Sequence, residues 1–471
     1  MDPKDLSVII LAAGKGTRMK SSKPKVLHQI FGKPMLYHIL NTCLKITPKN
    51  IFTVIGYKAS LVEEFLKKSF PAVIPVLQQE QLGTAHAVKA AKKYRKKMGE
   101  DIIVLAGDCP LLTGKTLKKL IENKKKTGSA ATLISATIPN PEGYGRIIKD
   151  SSGHVKEIIE EADADSSQKA INEVNTSVYC FSRDDLFESI DEIGSDNAQN
   201  EYYLTDIIKK LTQKGKIVSV FRATDYGEVF GINDRLQLSK VERLMIKRRN
   251  QKLMKEGVTI RDPGNCFIDP EAEIENDVTI EPYCFINGRT VIKKNCVIGP
   301  FCQITDTVVG KGTKINASVI IGSEIGKNNN IGPYSYIRPD TVTGDKVKIG
   351  GFCEVKKSMV GRGSKVPHLS YVGDTEIGAG VNVGASCVTV NYDGYSKSKT
   401  IIEDGVFIGS DTMLIAPVKI GKGAIVAAGS VITEDVPGNS LAIERGEQKN
   451  IKDGATRYRR KKEIEKRGDN K

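Results

Sequence analysis

The 471-residue chain has no tryptophan, aromatic residues make up 6% of it, and it holds only five histidines. None of its nine cysteines forms a Cys-x-x-Cys pair. A Cys-x-x-Cys zinc or redox motif is thereby excluded, and nine cysteines in 471 residues of ordinary composition do not make a disulfide-scaffold chain. No stretch approaches the ~18 consecutive apolar residues of a membrane-spanning helix. The opening MDPKDLSVIILAAGKG places acidic residues before a short apolar run, unlike a secretory signal. These absences predict a cytoplasmic protein with no membrane span. Positive charge, by contrast, is abundant: 71 Lys+Arg against 56 Asp+Glu, a net +15. Such a field favours anionic partners, whether nucleic acid, a membrane surface or phosphorylated small molecules. Of the basic runs at 92–97, 124–126 and 247–249 only the first holds an aromatic residue, Tyr94, and none has the set of aromatic platforms that RNA binding needs, so they read as solvated helix faces and no nucleic-acid partner is expected.

Glycine divides the chain. Sixteen of the 44 glycines lie in residues 1–256 and 28 in the remaining 215. In the first part, apolar runs at 7–12, 51–55, 102–105 and 131–135 alternate with amphipathic stretches at 35–45, 61–68, 85–94 and 115–124. Strands alternating with helices predict an α/β domain on a mainly parallel, Rossmann-like sheet over residues 1–231. Residues 232–256 then read as a linker helix with Leu236, Val241, Leu244 and Met245 as its apolar stripe.

From 257 the hydrophobic period becomes six. Ile268, Ile274, Ile280, Ile286, Ile292, Ile298 and Ile304 follow one another without a break. The phase is reset at Ile315 and Ile321, and again at Ile325, Ile349, Val366 and Ile377, before running from Ile402 to Ile432. Neither a helix (3.6) nor an open strand (2) gives a sustained six. A triangular parallel β-helix does, each six-residue unit forming one side of a coil, and this is expected over 257–445. Cys284, Cys296, Cys302, Cys353 and Cys387 each stand four residues after a periodic aliphatic, and Cys266 shares the phase. They read as small core hydrophobes. Residues 446–471 form a basic tail, expected to be flexible.

Several segments carry chemistry. Leu11-Ala12-Ala13-Gly14-Lys15-Gly16-Thr17-Arg18-Met19 follows a strand at once, so its backbone N–H groups can approach phosphates with Arg18 as a neutralising cation. It is neither a P-loop nor a full G-x-G-x-x-G. Lys25 adds a cation downstream. The run at 102–105 leads into Ala106-Gly107-Asp108, placing a carboxylate at the ligand-binding edge of a parallel sheet, where Mg²⁺ with substrate phosphates would suit it. The amide-rich Gln78-Gln79-Glu80-Gln81-Leu82-Gly83-Thr84 could read a base edge.

Together these segments resemble the sugar-1-phosphate nucleotidylyltransferases. With Gly143-Tyr-Gly-Arg-Ile147, Asn175-Thr176, Gly231-Ile-Asn233 and the hexapeptide region behind them, the chain to about Arg445 resembles the bifunctional N-acetylglucosamine-1-phosphate uridylyltransferase/glucosamine-1-phosphate N-acetyltransferase family. The resemblance implies a nucleotide site of Leu11, Ala12, Ala13, Gly14, Lys25, Gln78, Gln81, Gly83 and Thr84, with Arg18 and Lys25 steadying the triphosphate of UTP. It implies Gly145, Glu160, Asn175 and Asn233 on the sugar phosphate, and Asp108 with Asn233 on Mg²⁺. Ala106 stands where many of these enzymes carry Tyr, which would alter a contact near the nucleotide.

In the second region His368 is the only histidine after residue 154, and 391–399 break the six-residue phase as an ejected loop would. Acylation of an amine needs a proton acceptor of near-neutral pKa, which histidine supplies, and loops on rigid scaffolds often carry function. The resemblance implies His368 as base and Arg338, Lys356, Tyr371, Asn382 and Lys397 on the amino-sugar phosphate. It further implies Ala385, Asn391, Tyr392, Ser410, Ala428 and Arg445 on acetyl-CoA, a left-handed coil and a homotrimer. Val366-Pro367 replaces the family's usual Ala-Gly before this histidine, and the proline fixes φ and removes an N–H. A single-activity nucleotidylyltransferase using its β-helix only for assembly is the alternative.

Overall fold

In the computed structural model, which describes residues 5–468, the first apolar run forms strand β1 (Leu6–Ala12) inside a nine-stranded sheet. The other strands are β2 (Asn50–Ile55), β3 (Ile74–Leu77), β4 (Asp101–Ala106), β5 (Ala131–Thr137), β6 (Arg146–Lys149), β7 (Val155–Ile159), β8 (Glu173–Ser182) and β9 (Val218–Arg222). Their order is β9-β5-β8-β4-β1-β2-β3, with β6 bridging β8 and β7. All neighbours on the main path are parallel except β8, which runs antiparallel to β4 and β5. Parallel strands are covered on both faces, so β1 and β4 are nearly continuous apolar runs with interiors buried throughout. The expected helices form as Met35–Leu44, Ala59–Ser69 and Gly114–Thr127, the last capped by the Thr113 hydroxyl accepting from the Thr116 N–H. The stretch expected over 85–94 is a shorter helix, Thr84–Ala90, followed by a 3-10 turn, Lys92–Lys97.

The chain divides into two units at Arg248/Arg249, inside the long helix Arg235–Lys255. This helix uses the expected stripe only in part: Val241 is buried and Leu244 and Met245 are half-buried, but Leu236 is 66% exposed, and Ile246 and Leu253 are buried as well. Near its C-terminus the Asn250 carboxamide donates to the carbonyls of Pro263 (2.7 Å) and Cys266 (2.9 Å), joining the helix end to the first coil of the second unit.

That second unit is a triangular parallel coil. Among the described residues it has three sheets of 11, 10 and 9 short strands, each sheet taking every third strand along the chain. Registers stack the periodic aliphatics: Ile268 on Ile286, Ile304, Ile320, Ile337, Val355 and Val372 in one sheet, and Ile280 on Ile298, Ile315, Ile331, Ile349 and Val366 in the next. They form one continuous buried core, each inward side chain contributing roughly 1.5–3 kcal/mol. The resets arise where a coil departs from 18 residues, most by shortening and the one before Ile402 by enlargement. Ile304 pairs with Ile320, two residues short of the 18 that separate Ile286 from Ile304. Hence Ile320, not the expected Ile321, faces the core.

All six cysteines of this unit are buried and unpaired, as expected of small hydrophobes. The same kind of position also takes Ser or Thr, whose hydroxyls donate to a carbonyl of the next coil: Ser335 to that of Gly350 (2.7 Å) and Ser364 to that of Gly378 (2.6 Å). The basic tail expected to be flexible contains a helix, Gly454–Gly468.

Candidate active sites

The carboxyl ends of β1 and β4 open into a cavity of about 460 Å³. Of the expected residues, Leu11, Ala12, Ala13, Gly14, Lys25, Gln78, Gln81, Gly83, Thr84, Asp108 and Glu160 line it, as does Ala106. The glycine-rich turn closes on Lys25 through Gly16, whose φ is +64° and where a Cβ would stand 2.7 Å from the Lys25 Cβ. Lys25 forms an ion pair with Asp108, and its ammonium also donates to Asn233 Oδ1 at 2.8 Å. Arg18 does not line the cavity. It is exposed on the 3-10 turn Thr17–Met19.

On the nucleotide side, buried Gln78 directs its carboxamide at His86 Nδ1 (3.0 Å) and the Gly83 carbonyl (3.3 Å). Gly83 has φ +116°, and a Cβ there would lie 2.6 Å from the Tyr202 carbonyl. Tyr202 in turn donates its N–H to Leu82 (2.8 Å) and accepts from Ala85 (2.8 Å). Thr84 Oγ1 accepts from the Leu204 N–H (2.9 Å), completing this wall.

On the sugar side, Gly145 faces Glu160, with only 3.2 Å between a Cβ on Gly145 and Glu160 Oε2. The Asn175 N–H donates to the Gly145 carbonyl (2.8 Å), and its carboxamide donates to the Tyr179 hydroxyl (2.7 Å). Burial raises the Glu160 carboxyl above its ordinary pKa, although a hydrogen bond from Thr205 (3.0 Å) opposes the shift. Tyr179, Ser177, Glu201 and Thr205 line the cavity without having been singled out in the sequence. They come from β8 and from a segment with no motif of its own, so only the fold brings them there.

In the β-helix, register places His368, Ala385, Ser410 and Ala428 one above another at one corner of successive coils. The Ser410 hydroxyl accepts from the Ala385 N–H (3.2 Å), and Arg445 donates to the Ala428 carbonyl (2.9 Å). Coils stack about 4.8 Å apart, so these small residues form a row along that corner next to the exposed His368. Pro367 occupies the register position of Gly350 and Gly384. Gly384 donates its N–H to the Ile408 carbonyl (2.8 Å), a rung that Pro367 cannot make.

Arg338 and Lys356 occupy neighbouring coils in one sheet. Arg338 pairs with Glu354 (2.8 Å) and Lys356 with Asp374 (3.4 Å). The loop expected over 391–399 is ejected as foreseen: Thr389 pairs with Leu414 across an enlarged coil, and Tyr392 bridges Lys397 within the loop. Lys397 stands beside Lys356, whose like charge lowers its pKa. Tyr371 and Asn382 are half-buried at strand starts in two different sheets. Asp374 and Glu354 were not anticipated from sequence, where an isolated acid carries no signal.

Comparison with known proteins supplies the family. A nucleotidyl transferase model matches residues 7–231, a GMPPB C-terminal domain model matches 263–360, and a bacterial transferase hexapeptide model matches 399–434. The bifunctional protein GlmU of Carboxydothermus hydrogenoformans is 48% identical over 445 residues, covering 94% of this chain and 99% of that protein. The GlmU proteins of a Geobacillus species (46% identical; 94% of this chain, 96% of that protein) and of Clostridioides difficile (43%; 96% and 97%) are similar over comparable lengths. A solved structure, HddC from Yersinia pseudotuberculosis, matches 51% of the chain and 99% of its own at 23% identity, with a TM-score of 0.40. Near-complete mutual coverage by these relatives, with a nucleotidyl transferase module followed by a left-handed hexapeptide β-helix, means that the chain belongs to the bifunctional GlmU family.

Proposed function

We propose that the two sites act in sequence: the β-helix acetylates glucosamine 1-phosphate with acetyl-CoA, and the N-terminal unit then converts N-acetylglucosamine 1-phosphate and UTP to UDP-N-acetylglucosamine and pyrophosphate. For the second step, the reading rests on the convergence of Lys25, Asp108 and Asn233 beside a cavity walled by Gln78, Gly83 and Thr84. Gln78 and Gln81 take the uracil edge, with Gly83 and Thr84 shaping the wall. Leu11 to Gly14 and Lys25 hold the phosphates, and Arg18 reaches them from the rim. Gly145, Glu160, Asn175 and Asn233 hold the sugar phosphate. Its phosphate oxygen attacks the α-phosphorus of UTP in line, forming the new P–O bond as the bond to pyrophosphate breaks. The attacking group is already an anion, so positioning and charge neutralisation carry the step.

Mg²⁺ fits this site. Asp108 and Asn233 direct two oxygens at one cationic point, that of the Lys25 ammonium. Among the described residues no cluster of three His, Cys, Asp or Glu could hold a metal alone, which suits an ion completed by substrate phosphates. When bound there it would neutralise phosphate charge.

In the β-helix, Arg338, Lys356 and Lys397 bind the phosphate of glucosamine 1-phosphate, and Tyr371 and Asn382 line the amino-sugar pocket. Acetyl-CoA lies along Ala385, Ser410, Ala428 and Arg445, with Asn391 and Tyr392 beside its thioester. His368 takes a proton from the amino group as its nitrogen bonds to the acetyl carbon, and CoA leaves as the thiolate.

A homotrimer accords with a column of exposed side chains, Tyr283, Phe301, Tyr334, Phe352 and Leu369, that follows the corner beside His368. Tyr283 stacks on Phe301 (5.2 Å between centroids) and Tyr334 on Phe352 (5.3 Å). An apolar row of this length marks an association surface, and packing copies along it would let neighbouring subunits share the acetyltransferase site. No helix among the described residues is long and apolar enough to cross a membrane, which accords with a cytoplasmic enzyme using cytoplasmic UTP and acetyl-CoA.

The test supplies glucosamine 1-phosphate, acetyl-CoA, UTP and Mg²⁺ and measures UDP-N-acetylglucosamine. Product is expected only from the complete mixture, and N-acetylglucosamine 1-phosphate should replace the first two substrates.

A further inference from the structure

Asp374 occupies a crossing point that no motif announced. It lies at a corner of the coil with φ +49°, its side chain only 12% exposed. Its carboxylate accepts from the Asn391 carboxamide, where loop 391–399 leaves the coil. Its carbonyl accepts from the Thr400 N–H (3.3 Å), where the loop rejoins it. The same carboxylate faces Lys356 Nζ at 3.4 Å and Lys357 Nζ at 4.0 Å, and its own N–H donates to the Lys356 carbonyl (3.0 Å). One residue therefore holds both ends of the ejected loop and one member of the cation row.

We propose that Asp374 is a positioning residue for acetyl transfer: it clamps the loop carrying Asn391, Tyr392 and Lys397 against Lys356, setting the acetyl-CoA and sugar-phosphate contacts in register with each other. The proposal rests on the acetyltransferase reading above. A loop tethered only by its covalent ends samples many arrangements, and each substrate would have to order it on binding. A clamp touching both groups of contacts removes that cost for both substrates at once.

The carboxylate also balances charge. Lys356 and Lys357 pair with it, and Lys397 lines the same cavity as Asp374 and Lys357. The Lys356 ammonium lowers the Lys397 pKa, while Asp374 opposes that effect. Without the carboxylate, Lys397 would release its proton at lower pH and bind a phosphate dianion less well on the basic side.

The test is Asp374→Asn in the full chain, with CoA release followed across pH and each substrate varied in turn. The KM for glucosamine 1-phosphate is expected to rise about 10–100-fold, the scale of a lost charge-assisted hydrogen bond. The KM for acetyl-CoA should rise with it. The basic limb of kcat/KM for the sugar phosphate should move to lower pH. Uridylyl transfer and melting temperature should stay unchanged, and Asp374→Glu should recover part of the loss. Unchanged KM values with an unmoved basic limb would overturn the proposal. So would a lower melting temperature with both activities lost together, since that is a folding role alone. If the unaltered chain releases no CoA with glucosamine 1-phosphate, the acetyltransferase reading itself fails, and the proposal with it.

Discussion

The Lys25 ammonium is held in an ion pair with the Asp108 carboxylate, while Asn233, 208 residues from Lys25 in sequence, accepts from the same ammonium at 2.8 Å. The glycine-rich turn, the end of β4 and the segment before the long helix thus meet at one point. Asp108→Asn keeps the shape of this junction and removes its negative charge. The kcat for pyrophosphate release is expected to fall about 10²–10³-fold, the scale of losing one preorganised electrostatic contact. A variant with undiminished release would remove Asp108 from the site.

Gly83 meets the Tyr202 backbone at a distance no Cβ tolerates, and its φ is in the region that glycine favours. Gly83→Ala should destabilise the N-terminal unit by about 2–4 kcal/mol through strain and displacement of the Tyr202 segment. Calorimetry should show a melting transition lower by about 5–10 °C, and the KM for UTP should rise because Gln78 and Thr84 move with that wall.

Glu160 is held as a carboxyl at higher pH than usual because burial disfavours its charge. A raised carboxyl pKa means that the folded state binds the proton more tightly than the unfolded state. The associated stability is full below the ordinary glutamate value and is lost as pH rises through the folded one. Glu160→Gln should therefore melt higher than the unaltered chain at about pH 8, with the difference vanishing towards about pH 4. The same variant should raise the KM for N-acetylglucosamine 1-phosphate. A melting difference independent of pH would contradict this account.

The exposed corner column tests the proposed trimer. Tyr334→Glu with Phe352→Glu places two carboxylates where stacked rings stood, on a surface that contributes nothing to the coil's own core. Sedimentation should show the trimer replaced by monomer, with acetyl transfer lost and uridylyl transfer retained. A trimer that survives both substitutions would place the interface elsewhere.

Much of this molecule was legible in the sequence because its periodicities are local. The six-residue spacing from Ile268 to Ile304 fixes the coil, and every cysteine in phase with it is buried. Where the period slips, the sequence misleads by one residue: Ile321 fits a six-residue step from Ile315, but the shortened coil turns Ile320 inward. Leu236 failed for a related reason, since a helical stripe shows which residues share a face but not which face is covered. The nucleotide-side residues were legible because glycine turns and amides cluster within short motifs. Tyr179, Thr205 and Asp374 were not, because none lies in a recognisable motif: Thr205 meets Glu160 45 residues away and Asp374 meets Asn391 17 residues away, and only the fold carries Tyr179 to the cavity.

The central claim is that one chain holds two separable catalytic sites. The most direct measurement compares His368→Ala and Asp108→Asn, each assayed for CoA release with glucosamine 1-phosphate and for pyrophosphate release with N-acetylglucosamine 1-phosphate and UTP. The account predicts reciprocal loss. His368→Ala should lose about 10²–10⁴-fold in CoA release with pyrophosphate release intact, and Asp108→Asn should show the opposite. CoA release undiminished in His368→Ala, or either substitution abolishing both activities in a chain that still folds, would contradict it.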